Sequence, residues 1–172
     1  MTVSEPSGYG PEDYRFPELY VEGGESSKCV WVDEARGRYL RRPCEGCVKL
    51  CLIPYEEAWM KVVDPLRAEI VRRAAVVIPW EDYRALYLRP GVKVKLVEAR
   101  GVDVSHVGFE GERVRERSVL AYILTGKGET RTLRAGEKGI VALILTDFSV
   151  APPRYTYTLI PEEDAVWLEP GQ

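Results

Sequence analysis

The stretch of sequence that decides the fold spans residues 107–144 and reads VGFEGERVRERSVLAYILTGKGETRTLRAGEKGIVALI. Two short strand-like runs, SVLAYILT at residues 118–125 and ETRTLRA at residues 129–135, lie on either side of its central Gly-Lys-Gly. Runs of the same kind, VKVKLVEA at residues 92–99 and RYTYTLI at residues 154–160, lie on either side of it. We therefore predict that residues 91–172 form an all-β domain, either a small barrel or a sandwich.

The order of residues within this stretch carries a resemblance to a known domain. Its members are Gly111, Glu112 and Val114 before one strand, Leu120, Ile123 and Thr125 along it, Lys127 in the turn, and Ala135, Gly139, Ile140 and Val141 on the return. In this order they resemble the biotinyl/lipoyl domain, a barrel-sandwich hybrid. The whole chain also resembles an archaeal family of uncharacterised proteins built on that fold, which implies a fold and no activity.

Lys127 is the residue on which the resemblance bears most directly. Biotinyl and lipoyl domains attach their cofactor to a lysine at the tip of a hairpin, so the resemblance implies that Lys127 is the possible attachment lysine. Biotinylated domains have Met on both sides of that lysine, and lipoylated domains usually have Asp before it and Ala after it. Here Gly126 and Gly128 form the hairpin turn. We therefore expect no biotin or lipoate on Lys127, and a covalent carrier stays an alternative function.

The first half of the chain predicts a different organisation. Three prolines indicate an extended N-terminal arm at residues 1–18. Short apolar runs with turn residues between them indicate a small β unit up to Pro54. Helical patterns follow at residues 55–63, at 64–77 with Asp64 as the N-cap and Pro65 at the first helical position, and at 80–88. Residues 19–90 are therefore predicted to form a cysteine-bearing β/α unit.

The predicted fold class is α+β. An N-terminal Cys-rich β/α unit at residues 19–90 precedes a C-terminal all-β, biotinyl/lipoyl-like barrel-sandwich hybrid at residues 91–172. The boundary is the Pro90-Gly91 pair, which interrupts any regular element and is followed by a change from helical to strand periodicity.

All four cysteines lie in the predicted β/α unit, at Cys29, Cys44, Cys47 and Cys51. The Cys-Glu-Gly-Cys step has the spacing of a zinc knuckle, and four thiolates would satisfy tetrahedral Zn²⁺. The same residues could instead form one or two disulfides, because intracellular disulfides do occur in hyperthermophiles. An iron–sulfur cluster or a redox CxxC motif fits the spacing less well. We keep a structural zinc site and structural disulfides as equal alternatives.

The composition limits the possible functions and the cell compartment. The chain contains no Asn, one Gln and 17 Arg against 7 Lys, which indicates a hyperthermophilic source. Its single histidine, His106, excludes a multi-histidine metal centre, and we interpret it as an exposed or hydrogen-bonded strand residue. Neither a signal peptide nor a membrane-spanning run is visible, so we expect a cytoplasmic protein without membrane association.

We expect a non-catalytic binding or scaffold module, because no nucleophile–base pair, phosphate loop or carboxylate dyad can be assembled from the sequence. The partner would be a protein that the sequence does not identify, and a homo-oligomer stays open. A third alternative is association with nucleic acid through Arg36, Arg38, Arg41 and Arg42 near the cysteines. The net charge of −3 argues against it.

Overall fold

The computed structural model describes residues 14–172, and residues 1–13 of the predicted arm lie outside the described residues. Contacts divide the described chain into two units. The first, which we call the barrel unit, contains Arg15–Lys93 and Asp164–Gln172. The second, the two-sheet unit, contains Tyr14 and Val94–Glu163. Each unit is therefore built from more than one segment of the chain.

Seven strands of the barrel unit close into a barrel in the order β1-β4-β2-β3-β16-β8-β7, numbered along the chain. They are β1 (Glu18–Val21), β2 (Cys29–Asp33), β3 (Arg38–Leu40), β4 (Val48–Ile53), β7 (Ala74–Val77), β8 (Ala85–Leu88) and β16 (Val166–Pro170). A separate hairpin consists of β5 (Val63–Asp64) and β6 (Glu69–Ile70). Strand β16 pairs parallel to β3 and antiparallel to β8. β16 therefore lies between β3 and β8, two strands that come much earlier in the sequence.

Alternate residues of the barrel strands fill the barrel interior, as the two-residue period of a strand requires. Its core cluster includes Tyr20, Val30, Leu50, Tyr87 and Leu168, all almost completely buried. The same cluster also contains Tyr39 and the small residues Ala75 and Ala85.

The prediction of an α+β fold with a β/α unit is wrong, because the described chain is mostly β. Its α-helix, α1 (Ala58–Lys61), is a single turn, and 3-10 turns occupy Glu34–Arg36, Tyr55–Glu57, Pro79–Glu81 and Glu162–Asp164. The runs predicted as helical at residues 74–77 and 85–88 are strands β7 and β8, in which every residue is buried. A short apolar run with both faces buried has no period that separates strand from helix. None of the described helices is long and apolar enough to cross a membrane.

Asp64 shows why the helix predicted at residues 64–77 is wrong. Its carboxylate does accept hydrogen bonds from the backbone N–H groups of Leu66 and Arg67, at 2.9 and 3.3 Å. These bonds close the turn between β5 and β6, and Asp side chains stabilise turns in the same way as helix N-termini. Leu66, which the helical pattern places on the buried face, is 94% exposed.

Two sheets make up the two-sheet unit. One has the order β10-β12-β13 and the other the order β11-β14-β15-β9. The strands are β9 (Lys95–Arg100), β10 (Asp103–His106), β11 (Arg113–Val114), β12 (Val119–Leu124), β13 (Thr130–Arg134), β14 (Gly139–Asp147) and β15 (Arg154–Ile160). Residues such as Ala99, Leu120 and Val141 form its core. The strand-period runs of the sequence all coincide with strands here.

Candidate functional site

The four cysteines form two disulfides. Cys29 and Cys51 lie directly opposite each other on β2 and β4 and are bonded, with 4.0 Å between their Cα atoms. Cys44 and Cys47 are bonded to each other across the turn that precedes β4. Every cysteine sulfur is therefore in a covalent pair, and the described residues contain no group of three or more His, Cys, Asp or Glu side chains that could hold a metal ion. The predicted structural zinc site is wrong, and disulfides are the alternative that the structure adopts.

Lys127 lies in the turn between β12 and β13, where its side chain is exposed. The turn is closed by a hydrogen bond from the Gly128 N–H to the Thr125 carbonyl, at 3.0 Å, and by one from the Thr125 N–H to the Glu129 carbonyl, at 2.8 Å. Gly128 has a φ of 83°, a conformation that glycine adopts without strain. The sequence therefore places Lys127 at a fixed hairpin tip, with Gly126 and Gly128 on either side.

Two further connections lie at the same end of the unit, the first beside this hairpin and the second beside the end of β9. The backbone N–H of Val102, in the turn between β9 and β10, donates to the Leu124 carbonyl at 2.8 Å. The Arg100 guanidinium donates to the carbonyls of Pro152 and Ala151, at 3.2 and 3.3 Å, and so ties the β14–β15 loop to the end of β9. We call this part of the two-sheet unit, residues 101–102, 124–129 and 148–153, the hairpin end.

The hairpin end exposes three large apolar side chains. The exposed fractions are 64% for Val102, 38% for Leu124 and 69% for Phe148. Single exposed apolar residues are ordinary, but three at one end of a unit offer apolar surface of the kind that can mediate contacts between proteins. Sequence reasoning missed them because they lie in three separate segments, which the strand pairing brings to the same end of the unit.

A buried hydrogen-bond network lies in the core of the same unit. The Tyr157 hydroxyl donates to the Leu120 carbonyl at 2.9 Å and contacts Nδ1 of His106. Because the single hydroxyl proton is directed to a carbonyl, Nδ1 of His106 must carry the proton that it shares with Tyr157. Burial lowers the pKa of His106 to about 4, against which the nearby Asp103 carboxylate acts weakly. His106 is thus a buried, neutral, hydrogen-bonded histidine. Of the two interpretations made from the sequence, the hydrogen-bonded residue is the one that the structure shows, and the exposed residue is not.

Two carboxyl groups of the loop before β11 lie close enough to Tyr157 to act on it electrostatically. Glu110 is completely buried, and the Tyr14 hydroxyl donates to its two carboxylate oxygens at 3.0 and 3.2 Å. Burial raises the pKa of Glu112 to about 7, while a hydrogen bond from the Phe109 N–H lowers it. Nothing in the sequence pattern marks Glu110 as buried, since it stands in a run of charged residues. The network holds the residue 107–112 connection and Tyr14 against the core.

The arginines near the cysteines engage carboxylates of their own unit. Arg36 and Arg38 lie 3.9 and 3.3 Å from the Asp33 carboxylate. Arg41 lies 3.4 Å from Glu18. Arg42 is exposed. Ion pairing leaves less positive charge at this surface than the sequence cluster suggests.

No curated protein matches this chain. Residues 14–162, which include every described strand except β16, match the model of a family described as an uncharacterised protein conserved in archaea (DUF2118). The match covers most of the chain, and the protein therefore belongs to the DUF2118 family of archaeal proteins.

Proposed function

We propose that this protein is a non-catalytic binding or scaffold module that holds a partner protein at the hairpin end of its two-sheet unit. The observation that carries the proposal is the exposure of Val102, Leu124 and Phe148 at the end of the unit that carries the Lys127 turn. The fold behind them would be of the biotinyl/lipoyl-like hybrid type that the sequence resembles.

The hairpin end has the composition of a small protein interface. Its apolar side chains would form the desolvated centre, and the exposed Lys127 and Glu129 would form a polar rim. The connections that carry the apolar side chains are held by backbone and Arg100 hydrogen bonds, so little ordering would be needed when the partner binds. A partner suited to this surface has an apolar pocket bordered by a carboxylate that can pair with Lys127.

The test compares a Val102→Ser, Phe148→Ser double variant with a control, Leu66→Ser, which changes an even more exposed apolar residue on the barrel unit. A protein captured from native extract by the wild type is purified, and its affinity is measured by titration calorimetry. We expect the double variant to weaken binding by about tenfold or more, because central apolar contacts dominate interface energetics, and the control to bind as the wild type does.

Equal affinity of the two variants for the captured protein would contradict the proposal. So would self-association of the wild type that the double variant abolishes, since that outcome would make the hairpin end a contact between copies of this chain. Sedimentation velocity of both variants gives that answer.

A second candidate is the covalent carrier, which is supported by the exposure of Lys127 at the hairpin tip. A swinging arm needs an accessible lysine on a fixed turn, and both conditions are present here. Intact mass of the protein from its native source, compared with a Lys127→Arg variant expressed there, distinguishes the candidates. A mass increment that the variant lacks would favour the carrier, and an unmodified mass would leave the binding module.

A further inference from the structure

The strand that follows the Lys127 turn, β13, lies at one edge of its three-stranded sheet and pairs with β12. Within residues 14–172, no further strand pairs with its other side. Four of its five residues, Thr130, Arg131, Thr132 and Arg134, are exposed. A strand edge of this kind presents N–H and C=O groups with which an additional strand can pair.

The hydrogen bonds of the hairpin show which backbone groups of β13 face outward. The Thr125 N–H donates to the Glu129 carbonyl at 2.8 Å, so these two residues form a hydrogen-bonded pair. In an antiparallel ladder, hydrogen-bonded and non-hydrogen-bonded pairs alternate. The register runs on without a shift from Thr130 to Thr132. The Arg131 backbone therefore faces β12, and the N–H and C=O groups of Thr130 and Thr132 are directed away from the sheet.

The side chains along this edge are basic, although the chain as a whole has a net charge of −3. β13 contains Arg131 and Arg134 and no acidic residue. Lys127 precedes it at the hairpin tip, with Glu129 as the acidic residue between them. Neither Lys127 nor Arg131 makes an ion pair with the part of the chain that the structure describes, and Arg134 donates to the neutral Arg117 carbonyl at 2.7 Å. The charge of this edge therefore favours an acidic partner.

We propose that the outer edge of β13 binds an extended acidic segment of a partner protein, which joins the sheet as a further strand. Main-chain hydrogen bonds to Thr130 and Thr132 hold the segment, and its carboxylates lie beside Arg131 and Arg134. This inference goes beyond the proposed contact at the hairpin end, because it uses the backbone edge of β13 and not the exposed apolar side chains.

Two other occupants fit this edge less well. A second copy of the chain that paired through β13 would bring Arg131 and Arg134 of both copies together, and like charges on neighbouring strands are destabilising. A nucleic-acid backbone offers phosphate acceptors, whereas the outward groups of Thr130 and Thr132 include carbonyls that need donors. An extended polypeptide supplies donors and acceptors in alternation, as the edge requires.

The test titrates the full-length protein, labelled with ¹⁵N, with a capped eight-residue peptide in which Thr and Glu alternate. We expect this peptide to shift the β13 amide signals and to slow hydrogen exchange of the Thr130 and Thr132 N–H groups. A peptide with Lys in place of every Glu is the control and should produce neither change. Because the probe has no large apolar side chain, its result is independent of the proposed contact at the hairpin end.

Thr132→Pro separates main-chain pairing from charge. Proline removes the outward N–H and is tolerated on edge strands, whereas the matched control Thr132→Ala keeps the N–H. We expect Thr132→Pro to weaken binding of the acidic peptide by about fivefold or more, and Thr132→Ala to bind as the wild type does. Arg131→Gln should weaken binding by about twofold to fivefold, while Arg42→Gln, which changes an exposed arginine of the barrel unit, should not.

Absence of β13 shifts with the acidic peptide would overturn the proposal, as would equal affinity of Thr132→Pro and Thr132→Ala. Binding of a thymidine decanucleotide that Arg131→Gln weakens and Thr132→Pro does not would identify a nucleic-acid site instead. Self-association that Thr132→Pro abolishes, measured by sedimentation velocity, would identify a second copy of the chain. Either result would overturn the proposal.

Circular dichroism verifies that each variant is folded. If Thr132→Pro is not, two versions of the acidic peptide, N-methylated at one or the other set of alternate residues, make the same comparison with the wild type. The version whose methyl groups face β13 should lose binding and the other should keep it. Equal binding of the two versions would contradict main-chain pairing.

Discussion

The protonation of His106 gives a prediction with a defined sign and size. The folded chain holds this histidine with a pKa of about 4 because burial disfavours the charged ring, whereas an unfolded chain titrates near the ordinary value of about 6.5. Between those two pH values the unfolded chain binds a proton that the folded chain does not. Stability is therefore lost as the pH falls from about 6.5 to about 4, and the loss levels off below that range.

The size of the loss follows from the pKa difference. A change from about 6.5 to about 4 corresponds to roughly 3 kcal/mol of unfolding free energy. Glu112 acts in the opposite direction, since its raised pKa of about 7 means that the folded chain gains the proton first as the pH falls. As the pH falls from about 7 to 4.5, Glu112 therefore adds to the free energy of unfolding, by an amount that its partial exposure to solvent reduces. In the wild type this gain offsets part of the loss caused by His106. A variant that lacks one of the two residues shows the pH dependence that the other produces.

His106 is the only histidine in the chain, so an NMR titration of the ring in untagged protein assigns its pKa without ambiguity. Hydrogen exchange of the β14 and β15 amides, corrected for intrinsic rates, gives the opening free energy of the surrounding core. From pH 7 to 4, we expect wild type to lose about 3 kcal/mol of stability relative to His106→Gln, and Glu112→Gln to lose stability relative to wild type. A ring pKa at or above 6 in the folded protein would refute the reasoning, as would a constant difference between wild type and His106→Gln.

Two other perturbations have clear expected outcomes. A Cβ on Gly24 would lie 2.4 Å from the Cys51 carbonyl oxygen, so Gly24→Ala should destabilise the barrel unit by roughly 1–3 kcal/mol in urea unfolding followed by tryptophan fluorescence. Gly126→Ala meets nothing within 4 Å and serves as its control; equal destabilisation of both would contradict the clash. Under mild dithiothreitol, the partly exposed Cys44–Cys47 bond should be reduced and alkylated before the buried Cys29–Cys51 bond. Peptide mass mapping that finds Cys29 alkylated first would disprove that order.

The limits of sequence reasoning are visible in individual elements. Strands β12 and β13 could be predicted because two short strand-like runs flank a Gly-Lys-Gly turn, an order typical of a β-hairpin. β7 and β8 could not, because burial of both faces removes the alternation that separates a strand from a helix. Asp64 was predicted as an N-cap, and its side chain does accept hydrogen bonds from backbone N–H groups. The same local motif occurs in turns, so it does not specify whether a helix or a turn follows.

The pairing of strands that are distant in sequence decides between the zinc and disulfide alternatives for the cysteines. Cys29 and Cys51 are 22 residues apart and meet because the β2–β4 register places them opposite each other. A pattern search that counts spacings has no access to register, so zinc and disulfide could not be separated. The exposed apolar residues of the hairpin end also depend on strand pairing, and for that reason they could not be predicted.

Because each unit is built from segments on both sides of the other in sequence, the chain cannot be cut between the two units without removing part of each. The barrel takes β16 from beyond the two-sheet unit, and the two-sheet unit takes Tyr14 from before the barrel. Leu168 of β16 is completely buried in the barrel core, and the Tyr14 hydroxyl donates to the buried Glu110 carboxylate. A segment that ends near residue 90 thus lacks a barrel strand, and a segment that begins there lacks the Tyr14 hydrogen bond to Glu110. Function assigned to either unit must therefore be tested in the full chain, where both sets of contacts can form.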